Sequence, residues 1–186
     1  LTDGWLRSRS RAQRQAALIL LETAVAAGNH WAAWKIADCH RYGVGVQKSL
    51  RRALPWYRIA AQMGSAGAIG SLGYLAWQEG RTPAALRLYR KAAAMGDADA
   101  QHNLGLALIR RPRVRDRREG FLLLRSAAKQ GHVGALYQIA ACNFYGTGTR
   151  SNAAVALRYF ERAAKAGSRR AQRFLKSLNG KQVVAP

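Results

Sequence analysis

A chain of 186 residues that is 49% hydrophobic and has only 4 Pro can bury a sizeable core, which excludes a disordered polymer. Its 31 Lys and Arg against 9 Asp and Glu give a formal net charge of +22, a property that attracts anionic partners and does not specify a fold. No apolar run approaches the roughly 20 residues of a membrane-spanning helix, the longest strong one being Ala16 to Leu21.

The first predicted helix covers about Leu6 to Ala27 and is closed by Gly28, so residues 6–28 read as the second half of an incomplete helix pair. From Gly28 onward a glycine and an alanine four residues later recur as Gly28/Ala32, Gly64/Ala68, Gly96/Ala100, Gly131/Ala135 and Gly167/Ala171, with steps of 36, 32, 35 and 36 residues. A fixed period of this size marks a stacked array of supersecondary units. Four full units follow at 29–64, 65–96, 97–131 and 132–167, each read as two antiparallel helices. The glycine supplies the left-handed position that ends one helix, and the residue after it, Asn29, Ser65, Asp97, His132 or Ser168, starts the next. Four of those five are good caps.

The second helix of each unit is expected to start at Ser49, at Thr82 followed by Pro83, at Asp116 and at Asn152. Each carries a small pair near its end: Ala60 and Ala61, Ala92 and Ala93, Ala127 and Ala128, Ala163 and Ala164. Bulkier residues one turn earlier, such as Trp56 with Tyr57 and Tyr159 with Phe160, are expected to fill the space between units. The strings Gly43-Val44-Gly45-Val46 and Gly146-Thr147-Gly148-Thr149 allow tight inter-helix loops, and no preceding strand supports a phosphate-cradling reading. A capping helix at 168–178, with its body at about Arg169 to Leu178, and a tail at 179–186 complete a single repeat domain over residues 1–186.

Three elements carry a resemblance: an Ala-x-x-x-Leu-Gly half, a Gly-x-Gly-Val loop and an Ala-x-x-Trp-Tyr-x-x-Ala-Ala-x-x-Gly half, seen best from Ala32 to Gly64. On these the chain resembles the Sel1-like repeat family, relatives of the tetratricopeptide repeat, over about residues 16 to 176. Unit two departs by lacking the glycine loop, and unit three replaces it with Arg111-Pro112-Arg113-Val114. The resemblance implies an all-α, right-handed superhelical solenoid of antiparallel helix pairs whose first helices line the concave side.

That assignment of faces places a partner-binding groove at Trp34, Asp38, Arg41 and Tyr42 in unit one and at Tyr74 and Trp77 in unit two. It adds His102 and Arg110 in unit three, and Tyr137, Phe144 and Tyr145 in unit four. The groove is expected to be aromatic and poor in charge, with Asp38 paired to Arg41 or Lys35 one turn away. Basic residues crowd the second helices and loops instead, with Arg111, Arg113, Arg115, Arg117 and Arg118 forming a candidate anion patch.

For catalysis the sequence offers little. No second carboxylate accompanies Asp38 for acid/base work, and the histidines His30, His40, His102 and His132 lack metal-ligand spacing, so neither a metal nor a cofactor is expected. Cys39 and Cys142 occupy equivalent positions three units apart, a separation of roughly 25–30 Å at roughly 8–10 Å per repeat, so two buried free thiols are expected. Unpaired thiols lean toward a cytoplasmic compartment, while a start at Leu1 rather than Met leaves room for a removed export signal.

The function expected is a non-catalytic adaptor, a monomer when free, that binds another protein of acidic character. An immunity or inhibitor protein of a bacterial toxin is the most specific form of that reading. The alternative is a binder of polyanions such as nucleic acid, anionic polysaccharide or a membrane surface. Nucleic acid is the less favoured partner, because arginines and stacking aromatics are expected on different sides.

Overall fold

The glycine-alanine beat has one local explanation. Gly28 and Gly64 sit at φ +85° and +89°, conformations natural to glycine, and the residue that follows caps the next helix. Asn29, Ser65 and Asp97 accept the backbone N–H of Ala32, Ala68 and Ala100 at 3.2, 3.3 and 2.7 Å, and Ser168 accepts that of Ala171 at 3.3 Å. His132 does the same work through Nδ1, accepting from Ala135 N at 3.0 Å. The recurring alanine is therefore the third residue of its helix, and its methyl is 0–1% exposed at all five positions. Bonds from Asn29 N to Ala24 O and from Ser65 N to Ala60 O close the preceding helix in the Schellman pattern.

The computed structural model describes Gly4, Leu6 and residues 10–182, and among these it holds ten helices and no strand. They are α1 (Arg11–Ala26), α2 (His30–Tyr42), α3 (Leu50–Gln62), α4 (Ala66–Gln78), α5 (Thr82–Ala94), α6 (Ala98–Ile109), α7 (Val114–Lys129), α8 (Val133–Tyr145), α9 (Ala153–Lys165) and α10 (Arg169–Gln182). None of the described helices is long and apolar enough to cross a membrane.

Several helix ends differ from expectation. Helix α5 follows Arg81, which makes no side-chain cap, and Thr82 is already helical with Pro83 in the first turn. Helix α7 likewise starts after Arg113 without a side-chain cap. Asp116 lies inside its first turn, where a carboxylate still meets the positive end of the helix dipole. Ser49 and Asn152 cap α3 and α9 as expected, accepting from Arg52 N at 3.3 Å and Val155 N at 3.0 Å. The described part of the first helix begins at Arg11 behind Ser10, and residues 7–9 of the expected span lie outside the described residues. Helix α10 runs past Leu178 to Gln182, since one internal Gly180 costs a helix only about 1 kcal/mol. The rest of the expected tail, 183–186, lies outside the described residues.

The chain divides into two compact units, Leu1–Met95 and Gly96–Pro186. In the first, α1 to α5 pack each on the next around Tyr57, Ile36 and Leu75, which are 0%, 1% and 4% exposed. In the second, α6 to α10 do the same around Leu124, Ile139 and Phe160. The first alanine of each small pair, Ala60, Ala92, Ala127 and Ala163, is fully buried. Both glycine loops close alike: Ser49 N bonds His40 O at 2.7 Å in the first unit, and Asn152 N bonds Asn143 O at 2.8 Å in the second.

Candidate functional site

In the first unit the candidate surface lies on α2 and α4. Trp34 is a packing residue: its indole rests where a Cβ on Gly67 would be 3.4 Å away, and its Nε1 donates to Ser71 Oγ at 3.4 Å. Asp38 is gripped from α3, where the buried Tyr57 hydroxyl donates to its Oδ1 at 2.5 Å. Burial first, and the bond to Asp38 second, push the Tyr57 hydroxyl well above the ordinary tyrosine range. Spacing along one helix pointed to Arg41 or Lys35 for Asp38 and could not reveal a tyrosine 19 residues away.

Arg41 is the centre of this surface. Its guanidinium lies 5.1 Å from the Tyr42 ring centroid and 4.9 Å from that of Tyr74. Burial opposes its charge, yet the hydroxyl of Tyr57 and the nearby Asp38 hold its pKa above the ordinary value. The guanidinium is thus within cation–π range of two exposed rings on two helices. Tyr42, Trp77 and Tyr74 remain 61%, 43% and 37% exposed. Trp31, which counting from the recurring alanine passed over, is exposed near the start of α2, with Lys35 Nζ 5.7 Å from its ring.

The second unit uses its residues differently. His102 stacks on His132 with centroids 4.3 Å apart, and His132 Nε2 meets Asp99 at 3.0 Å. A Cβ on Gly134 would come within 3.0 Å of His102 Nε2, so the ring is wedged. Burial, then the charge of His132, lower the His102 pKa to about 4, which leaves it a neutral packing group at neutral pH. Tyr137 packs edge-on to Phe160 at 5.6 Å, and Phe144 meets Phe174 of α10 at 5.6 Å. Tyr137 packs against the core, whereas Phe144 and Tyr145 remain 39% and 73% exposed. Arg110 is the exposed C-cap of α6.

The five arginines of the candidate anion patch have different surroundings. Arg111 pairs with Asp116 at 3.5 Å, Arg113 precedes α7, and Arg115 is exposed. Arg117 and Arg118 instead line a cleft with Arg125, seven residues on from Arg118 along α7, and with Arg150 from a separate loop.

Among the described residues no group of three His, Cys, Asp or Glu side chains gathers in a way that could hold a metal ion. Cys39 and Cys142 are both buried and not joined in a disulfide, and burial pushes the Cys142 thiol up to about 11, so it is a poor nucleophile.

The sequence matches the family model of the Sel1 repeat over residues 32–65, 82–97, 98–132 and 133–168. Residues 66–81, between the first two matches, form α4 and its turn, so the structure supplies the first helix of that unit. Over 102 residues the chain is 34% identical to an F-box protein of Arabidopsis thaliana, covering 55% of this chain and 29% of that protein. The chain therefore spans less than a third of the length of this curated relative. Among solved structures, a Sel1 repeat protein from Oxalobacter formigenes aligns at TM-score 0.76 and 24% identity, covering 89% of this chain and 69% of that one. An immunity protein from Pseudomonas aeruginosa aligns at TM-score 0.65 and 22% identity, covering 91% and 66%. At these identities the likeness is one of fold. Sel1 repeats generally serve as protein-interaction scaffolds. With matches over most of its length and an all-α repeat fold, the chain belongs to the Sel1 repeat family.

Proposed function

We propose that the chain is a non-catalytic adaptor that binds an acidic protein, with the Arg41 surface of the first unit as its principal contact. The observation that carries this reading is the exposed pair Tyr42 and Tyr74 against a guanidinium that Tyr57 and Asp38 hold in place, with Trp77 also exposed on α4. Exposed aromatics with a pre-positioned arginine are the residue types that dominate interface energetics. Fixing the arginine before binding spares part of the ordering cost, which runs to about 0.5–1.5 kcal/mol per mobile side chain. A net charge of +22 favours a partner of opposite sign and raises its encounter rate. Neutralising an acidic bacterial toxin is the most specific form of the proposal, and the fold shared with an immunity protein is in keeping with it. Tyr145 in the second unit serves as a further contact.

The test is capture from the source organism with the full chain as bait, beside a Tyr42→Ala/Tyr74→Ala/Trp77→Ala variant whose helicity is verified by circular dichroism. The adaptor reading predicts acidic proteins retained by the natural chain and lost from the variant. Equal retention by both removes the aromatic surface from the account. Retention of nucleic acid alone, released at moderate salt, supports the polyanion alternative.

A further inference from the structure

The cleft lined by Arg117 and Arg118 lies in the second unit between α7 and the loop that joins α8 to α9, and encloses about 740 Å³. Its α7 wall is one helical stripe, Val114, Arg117 and Arg118, Phe121 and Leu122, Arg125, with residues returning every three or four positions. Its other wall is the glycine loop, which adds Arg150. Val114 is 72% and Leu122 is 45% exposed, so uncovered apolar side chains share the cleft with the four arginines. No Asp or Glu lines the cleft, and among the described residues no carboxylate pairs with Arg118, Arg125 or Arg150. Arg117 is tethered through its donation to Pro112 O at 3.2 Å.

The loop is fixed against the helix. A Cβ on Gly148, which sits at φ +72°, would fall 2.2 Å from Arg117 O. The first unit has the same device, since a Cβ on Gly45, at φ +75°, would fall 2.8 Å from Leu6 O. Its cleft of about 620 Å³, however, is lined by a single arginine, Arg14, and by the aliphatic Leu6, Val44 and Val46. The repeat explains the cleft in both units and does not explain four arginines in one of them.

We infer that the second-unit cleft is a docking site for an acidic segment of a partner protein, one that carries a large aliphatic or aromatic side chain between carboxylates. The carboxylates meet Arg118, Arg125 and Arg150, which can receive them in bidentate fashion, and the apolar side chain covers Val114, Phe121 and Leu122. A polyanion without an apolar group satisfies the guanidinium groups and leaves the apolar side chains wet, which is why the occupant is a protein segment. The inference rests on the reading that the partner is an acidic protein, and adds a second contact to it.

The full chain is titrated with a fluorescein-labelled synthetic peptide of alternating Glu and Leu, read by anisotropy. Parallel titrations use a peptide with Ser in place of every Leu and a heparin oligosaccharide. The Leu peptide is expected to bind at least tenfold more tightly than the Ser peptide. That preference should vanish in Arg118→Ala/Arg125→Ala/Arg150→Ala and in Val114→Ser/Leu122→Ser, and survive in Arg14→Ala. Equal affinity for both peptides, or an equal loss in Arg14→Ala, overturns the site and leaves only diffuse charge. Heparin binding that outcompetes the Leu peptide through the same three arginines also overturns the protein-segment assignment. The Tyr42→Ala/Tyr74→Ala/Trp77→Ala variant keeps its peptide preference, so failure of the first-unit surface and failure of this cleft are read separately.

Discussion

The loops at Gly43–Gln47 and Gly146–Arg150 have the same backbone. Each begins with a left-handed glycine that ends a helix, each presses a second glycine onto a carbonyl of an earlier segment, and each is closed by a bond back to the preceding helix. One borders an aliphatic cleft with Arg14, the other an apolar cleft with four arginines. The aromatics differ as well: the first unit leaves Tyr42 and Tyr74 exposed against Arg41 and Trp77 exposed on α4, while the second packs Tyr137 against Phe160 and sets the part-exposed Phe144 edge-on to Phe174. A repeat therefore sets where a surface lies, and only the residues placed on it set what it binds.

The largest effect should come from the loops. Gly148→Ala drives a methyl into a backbone oxygen and strains a left-handed residue, and should cost about 3 kcal/mol. Gly45→Ala, with a 2.8 Å approach, should cost about 2 kcal/mol, and Gly28→Ala, whose new methyl meets nothing within 4 Å, about 1 kcal/mol. Urea unfolding of the three variants reads the order directly. If Gly148→Ala were as mild as Gly28→Ala, the loop would not be pressed on α7 and the cleft would lose its wall.

Each unit holds a histidine below its ordinary pKa, so both should respond to acid. The fold holds His102 at about 4, below its ordinary 6.5, so the unfolded chain binds a proton that the fold refuses between those values. Stability then falls as pH drops from 6.5 toward 4, by on the order of 2 kcal/mol after allowing for partial exposure. His40 in the first unit, whose pKa is lowered by burial and then by Arg52, acts in the same direction. Asp99, His132 and Asn103 face His102, and Asp99 itself pairs with His132. His102→Asn should flatten most of the decline in melting temperature across this window. An unchanged slope would place the effect elsewhere.

The smallest of these effects concerns the support under Arg41. Tyr57→Phe removes the hydroxyl that donates to Asp38 and should cost about 1–2 kcal/mol in thermal unfolding. Partner affinity should fall as well, because Arg41 loses the group that positions it. Normal stability with normal affinity would mean that Asp38 and Arg41 hold each other without help.

The period, the caps and the buried alanines were legible because each depends on neighbours within a few residues. Even His132, an unusual cap, stood at its place in the beat. Thr82 and Asp116 misled because good capping residues lie just inside helices that start without a side-chain cap. Contacts between elements were beyond reach. Tyr57 with Asp38, Phe144 with the terminal helix, and Arg125 with Arg150 join residues that periodicity treats as unrelated. Gly148 read as loop freedom, whereas its lack of a side chain also admits a carbonyl.

The most direct test is the affinity of a captured partner for the natural chain and for the Tyr42→Ala/Tyr74→Ala/Trp77→Ala variant, by calorimetry at about 0.05 and 0.5 M salt. The account predicts at least a tenfold loss in the variant at both concentrations, because a desolvated aromatic contact is insensitive to screening. An affinity that collapses with salt and is equal for the two chains would contradict it.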